Sequence, residues 1–364
     1  MIPTLIYFAI FFGIFTLLLI LLLKADWEKT VGFTAEKVPV SILIAARNEA
    51  HNILNCLQAI THLNYPPELV EVLIGDDNST DNTYQLVADF IKDKPNFRLV
   101  KITENLGKAR GKSNVLVHLT RLATSNYYFI TDADIEVPAT WIEGMLAQAT
   151  PETGIVTGIT TTKGSELFSR MQALDWLNTL GYIQIVADRN LPVSTMGNNM
   201  LVTREAYEST GGYEQMPFSI TEDVQLFNAV LQKGYQFKNV YHKDVLAETA
   251  PTPDLSALMH QRKRWMKGAM HLPFYLRFIL IFYGSFYLFM IPFFWRVPFA
   301  VALSVLLLKW IYQTIFLKVC LHRLQKKAPL TDLILFEGYQ LLISTVSVIF
   351  FFLPFKVIWK GRKY

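Results

Sequence analysis

The chain has 364 residues, carries 34 Lys+Arg against 30 Asp+Glu for a net charge of +4, and is 52% hydrophobic with a mean hydropathy of +0.27. It is too apolar for an ordinary soluble enzyme, and its charge is too small and too membrane-associated for a nucleic-acid partner. Two cysteines, Cys56 and Cys320, give neither a disulfide framework nor a zinc pattern and fit a reducing compartment.

Ile2 to Leu23 is an uncharged apolar run. As a helix it measures about 33 Å, enough for a bilayer core of about 30 Å. It lacks a basic leader and a small-residue cleavage site, so residues 1–24 read as a retained anchor and not a signal peptide. From 38 to 270 the chain reads as one water-facing domain. Val38 to Ala46 is a β-branched, apolar strand followed by the helix Glu49 to Ile60. Leu69 to Gly75 is a second strand, with Thr80 to Lys92 as its helix. Phe97 to Ile102, Lys108 to Arg121 and Tyr127 to Thr131 continue the alternation, and Pro138 to Gln148 is a further helix. Such βαβ units predict a mostly parallel sheet with helices on both faces, in which ligands bind beyond the carboxyl ends of the strands.

The polar clusters fall at those ends. Asp76 and Asp77 follow the second strand, where the next residues cap a helix and a spare carboxylate can accept the N3 hydrogen of a uracil. Gly107 to Lys112 sets three cations at a predicted helix start; they oppose the helix dipole, which makes sense if Lys108 and its neighbours meet an anion. Asp132 and Asp134 close the fourth strand two residues apart. If extended they project to one side, where their repulsion calls for a divalent cation, Mg2+ or Mn2+, completed by donor phosphate oxygens. Glu222 and Asp223 open the helix Val224 to Lys233. They are ordinary first-turn acids, but Asp223 is also a candidate general base for an acceptor hydroxyl. Gln261, Arg264, Trp265 and Gly268 share one helical face, joining an amide, a guanidinium that can fork onto a diphosphate and an indole on which an acceptor can stack.

Three apolar stretches follow, Phe274 to Trp295, Val297 to Leu317 and Leu333 to Phe355, giving a membrane region over 271–356 with two or three spans and a basic tail over 357–364. Basic clusters at Lys24 and Lys29, 262–267, 318–327 and 356–363 place the catalytic domain in the cytoplasm of a multi-pass cell (inner) membrane protein. Three full crossings at the end would put the basic tail outside, so one stretch, with Phe274 to Trp295 the first choice, is expected to re-enter or lie in the interface.

Asn48-Glu49, Asp76-Asp77, Gly107-Lys108, the TDAD at 131–134, MGNNMLVTREAYESTGGY at 196–213, the TED at 221–223 and QRKRW at 261–265 together resemble the family 2 glycosyltransferases with a GT-A fold, the fold of nucleotide-diphospho-sugar transferases. The likeness is to the membrane-embedded branch that includes cellulose, chitin and hyaluronan synthases and ceramide glucosyltransferase, and it runs in order from about Val38 to Met270.

The resemblance implies a UDP-sugar donor whose uridine meets Asp76 or, preferably, Asp77. It further implies Asp134 as metal ligand with Asp132 assisting, Asp223 as base with Glu222 in support, and Gln261, Arg264 and Trp265 along the diphosphate and acceptor channel. Asn198 and Asn199 would line the cleft, with Asn48, Glu49 and Lys108 in the substrate-binding set. The expected activity is an inverting transfer to a lipid or glycan hydroxyl. A processive polysaccharide synthase and a non-catalytic sugar-nucleotide-binding subunit are the alternatives. Polymer synthases carry more membrane helices than this chain, which favours a glycolipid product.

Overall fold

Every side chain of the central strand β1 (Val40–Ala46) is largely shielded, as its aliphatic run demands: Ile42 and Ile44 face one layer of helices and Leu43 the other. A computed structural model of the chain describes residues 2–25, 37–193 and 195–356, together with the backbone alone of 358–359 and 362–363. Lys29 and the side chains of the basic tail lie outside the described residues.

An apolar helix α1 (Ile2–Lys24) precedes β1. Then come α2 (Ile53–Thr61), β2 (Val70–Asp76), α3 (Thr83–Phe90), β3 (Phe97–Lys101), α4 (Lys112–Leu122), β4 (Tyr127–Asp132), β5 (Ile135–Glu136), α5 (Trp141–Leu146), β6 (Thr153–Thr157) and β7 (Ile159–Thr162). A long helix α6 (Leu167–Ala187) leads to β8 (Asn199–Thr203), α7 (Arg204–Ser209), α8 (Gly212–Gln215), α9 (Glu222–Gln232), β9 (Gln236–Asn239) and β10 (Leu246–Thr249). The 7-stranded sheet has the order β3-β2-β1-β4-β8-β6-β9, parallel except where β8 runs against both β4 and β6. A 3-stranded sheet, β5-β10-β7, lies beside it. The expected mixed, mostly parallel sheet with helices on both faces is the one observed.

One boundary differs with consequence. The helix expected from Lys108 starts at Lys112, because Gly107 and Gly111 adopt left-handed φ values of 52° and 59° and hold the intervening cations in a turn. Helix α6 has no counterpart among the predicted elements. It is buried on nearly all sides, its polar Gln172, Asp175, Asn178 and Gln184 included, so no apolar stripe marks it. It packs against β7 on one side and the apolar helices on the other.

Those helices follow α10 (Leu255–Ala269): α11 (Phe274–Gly284), α12 (Phe286–Phe294), α13 (Phe299–Arg323) and α14 (Leu330–Phe352). With α1, the joined α11–α12, α13 and α14 make 4 helices long and apolar enough to cross a membrane among the described residues. Tyr7 of α1 donates to the Phe282 carbonyl at 2.9 Å, and Thr16 meets Tyr312 at 2.7 Å. Both ends of α14 are tied to helices that pack on the sheet domain. Asp332 in its first turn pairs with Arg170 of α6 at 2.7 Å, and Lys263 of α10 donates to the carbonyls of Phe350 at 3.2 Å and Leu353 at 2.5 Å.

Asn199 locks the two sheets together. It is fully buried; its Nδ2 donates to the carbonyls of Ile159 and Val245, both at 2.8 Å, and its Oδ1 accepts from the Trp141 indole at 2.8 Å. Asn199→Ala leaves three buried groups unpaired, at about 1–3 kcal/mol each. Thermal unfolding in detergent is expected to move down by several degrees; an unchanged transition would show that Asn199 is not this lock.

Candidate active site

At the carboxyl ends of β1, β2 and β4 the sheet opens into a cavity of about 1760 Å³. Asp132 and Asp134 reach it from the end of β4 and beyond, and Glu222 and Asp223 from the first turn of α9. Gln261, Arg264 and Trp265 reach it from α10, Glu49 and Asp77 from the loops after β1 and β2, and Asn198 from the approach to β8. Asp134, Asp223 and Arg264 therefore share one chamber.

Lys112 organises the acids. As the first residue of α4 it points its ammonium between two of them, 2.5 Å from Asp132 and 3.2 Å from Glu222, and donates to the Gly197 carbonyl at 3.1 Å. Burial alone would lower its pKa, but Asp132, Glu222 and Asp223 hold it above the ordinary lysine value. Burial raises the Glu222 carboxyl, with Lys112 opposing. Burial, and then the charge of Asp132, push Asp134 up to about 6, while Lys112 and Arg264 pull the other way. Sequence reasoning put Lys112 in the right cationic run but assigned the role to Lys108. Lys108 is exposed outside the cavity, held through its backbone N–H on the Glu214 carbonyl at 2.9 Å. The signal that separates them is the pair of left-handed glycines, which sets where the helix begins.

Asp223 is oriented by two backbone donors, Gly197 N–H to Oδ2 and Val224 N–H to Oδ1, each at 2.9 Å. Trp265 meets Trp176 of α6 edge-to-face at 4.9 Å, and Arg262, paired with Asp175, lies 4.7 Å over its ring. Gln261 brings a buried Oε1 that has no hydrogen bond among the described residues. Asn48 and Asp76 do not line the cavity. Asn48, with φ 53°, accepts from Thr80 N–H at 2.8 Å, and the buried Asp76 accepts from Ser79 N–H at 3.2 Å, so both brace the loops that carry Glu49 and Asp77. Asn199 is turned away into the joint between the sheets.

No group of three or more His, Cys, Asp or Glu side chains able to hold a metal occurs among the described residues. Two carboxylates, one with a pKa raised by burial and then by the charge of its acidic neighbour, are nevertheless a donor set that a divalent cation relieves, provided other oxygens complete its shell.

Gly197 has no room for a side chain: a Cβ there would stand 2.5 Å from the Asp223 Cβ. Gly197→Ala therefore displaces the carboxylate at a cost of about 1–3 kcal/mol. Turnover is expected to fall at least tenfold with the protein still folded by circular dichroism; unaltered turnover would mean that Asp223 tolerates displacement.

A mannosyltransferase from Pyrobaculum calidifontis, solved in complex with GDP-Man and Mn2+, has the same fold, with a TM-score of 0.58 at 20% identity over 96% of this chain and 92% of its own. The poly-beta-1,6-N-acetyl-D-glucosamine synthase of Staphylococcus epidermidis is 26% identical over 68% of this chain and 57% of its own length. A beta-monoglucosyldiacylglycerol synthase of Nostoc is 29% identical over 63% of this chain and 48% of its own. The chain thus spans about half the length of these curated relatives. The profile of glycosyl transferase family 21 matches residues 5–364, nearly the whole chain, and with the GT-A architecture around the cavity it shows that this chain is a glycosyltransferase of that family.

Proposed function

We propose that the protein moves a sugar from a nucleoside-diphosphate sugar, UDP-linked as first choice, to the hydroxyl of a membrane lipid, with inversion at the anomeric carbon. The observation that carries this reading is the continuity of one cavity from the carboxylates of β4 and α9 to the apolar faces of α11, α12 and α14. A donor that must be ionic and an acceptor that must be greasy have one place to meet. A relative named for a monoglucosyldiacylglycerol supports the lipid acceptor, while one named for a poly-N-acetylglucosamine keeps a glycan acceptor as the alternative.

In this mechanism Asp77 and Glu49 bind the nucleoside end of the donor, and Arg264, with the Gln261 amide, holds the diphosphate. Asp134 and Asp132 would hold a divalent cation together with donor phosphate oxygens, and that cation would supply charge stabilisation to the departing diphosphate. Lys112 offsets the negative charge of Asp132 and Glu222 beside it. Asp223, fixed by its two backbone donors, takes the proton of the acceptor hydroxyl as the acceptor oxygen bonds to the anomeric carbon; the bond from that carbon to the diphosphate oxygen breaks, and its electron pair leaves with the nucleotide. Attack opposite the departing group inverts the centre. Asp223→Asn is expected to retain Mn2+-dependent donor binding, lost on adding EDTA, while transfer drops by about 10²–10⁴-fold. Near-normal turnover would put the base elsewhere, and loss of donor binding as well would make Asp223 part of the donor site and not the base.

The catalytic domain faces the cytoplasm in this proposal. The tethers of α14 to Arg170 and Lys263 support a helix that lies with α6 and α10 against the catalytic domain, leaving α1, α11–α12 and α13 as the crossings. The candidate re-entrant segment is then α14 in place of Phe274 to Trp295, and every basic cluster falls on one side. With Cys56 and Cys320 both buried, Lys356→Cys supplies an accessible thiol. It should react with a membrane-impermeant maleimide in inverted vesicles and stay unreacted in intact cells; labelling of intact cells would make α14 a full crossing.

A further inference from the structure

The lipid-facing half of the cavity is not uniformly apolar. Its rim carries strongly exposed side chains, Ile281 at 72% and Leu288 at 71% across from Leu341 and Val348 of α14, as a surface facing acyl chains would. Into its wall is set Lys309. This residue stands near the middle of α13, about 15 Å from the Phe299 end. Its side chain is 4% exposed and ion-paired with Glu337 of α14, itself 3% exposed, and Tyr287 donates to the same Glu337 oxygen.

The rest of the wall is equally built. The Lys309 ammonium lies 5.1, 5.3 and 5.1 Å from the ring centres of Tyr283, Phe286 and Tyr287. The Tyr283 hydroxyl lies 2.5 Å from Gln313 Oε1 and 2.7 Å from Gln340 Oε1, sharing its one hydrogen between them, and Gln313 in turn donates to Asn178 of α6 at 2.7 Å. Lys309, Tyr283, Tyr287 and Gln340 all line the cavity, and the second Glu337 oxygen is buried with no hydrogen bond among the described residues. An ion pair at such depth is costly and could be replaced by apolar packing if it served only to join helices.

The ledge and the reacting end open into one cavity. Lys309 and Tyr283 line it together with Trp176, Trp265 and Asp223, so a lipid whose free hydroxyl is at Asp223 occupies the space that the ledge borders.

Resting on the transfer reading above, we infer that Lys309, held by Glu337 and Tyr287, is a specificity residue for the acceptor. Its ammonium donates to an ester or amide carbonyl in the linkage region of a two-chain lipid that enters sideways between α11–α12 and α14. The paired Glu337 neutralises the lysine, so the ledge suits a neutral carbonyl and not a phosphate.

Nucleotide release from the donor, with and without added lipid, tests this. In Lys309→Met/Glu337→Gln, which removes both charges together and so avoids an uncompensated one, the KM for an ester- or amide-linked lipid should rise about tenfold or more with the donor KM unchanged. Wild-type protein should handle an ether-linked analogue, which lacks the carbonyls, as poorly as the variant handles the natural linkage. A double variant with wild-type acceptor KM, or wild-type protein indifferent to the ether replacement, overturns the role of Lys309 and leaves transfer to lipid standing. If no lipid raises nucleotide release from wild-type protein, the transfer reading itself falls. The analogue comparison uses unmodified protein and decides the matter even if the variant does not fold.

Discussion

Four acids share one end of the sheet, and the Lys112 ammonium is what makes their proximity tolerable. Asp132, Asp134, Glu222 and Asp223 come from two elements far apart in the chain, and without a cation between them they would protonate or splay apart. One lysine can balance two of them. The remaining negative charge, with Asp134 already pushed up to about 6, leaves a local demand for a further positive partner that a cation arriving with the donor would meet. The short turn bounded by Gly107 and Gly111, the start of α4, and the passage of Gly197 past Asp223 all serve that arrangement.

Around this charged centre the chain builds a junction between two solvents. Helices α6, α10 and α14 pack together beside the sheet, and their mutual contacts combine an apolar cluster of Leu258, Met259 and Ile343 against Phe168 with charged and aromatic pairs: Arg262 with Asp175, Arg170 with Asp332, Trp176 with Trp265. Charge pairs that are only partly exposed resist screening better than free surface pairs, so the layer keeps its register where water and lipid meet.

Much of this was readable in advance. The alternation of apolar strands and amphipathic helices up to Gln148 depends on local periodicity, which the residues display directly, and Asp77, Asp132 and Asp134 sit where strands end, so their convergence followed from the topology; Glu222 and Asp223 join them from the start of a helix. What escaped has a physical reason in each case. Lys112 and Lys108 occupy one cationic run and differ only by which side of a left-handed glycine they stand on. Helix α6 hides because polar residues such as Asn178 are buried in it, and their partners, Gln313 among them, are distant in the chain. The apolar length of α14 was plain, but the tethers that keep both its ends near the catalytic domain come from Arg170 and Lys263, which no local pattern connects to it.

The close approach of α10 to α9 has its own implication. Gly268 stands so near Thr221 that a Cβ would lie 2.7 Å from the threonine methyl, so the helix carrying Trp265 rests directly on the residue before Glu222 and Asp223. Nothing cushions that contact. Because closely packed elements cannot shift independently, any displacement of α10 at Gly268 must be shared by the first turn of α9 that carries Glu222 and Asp223.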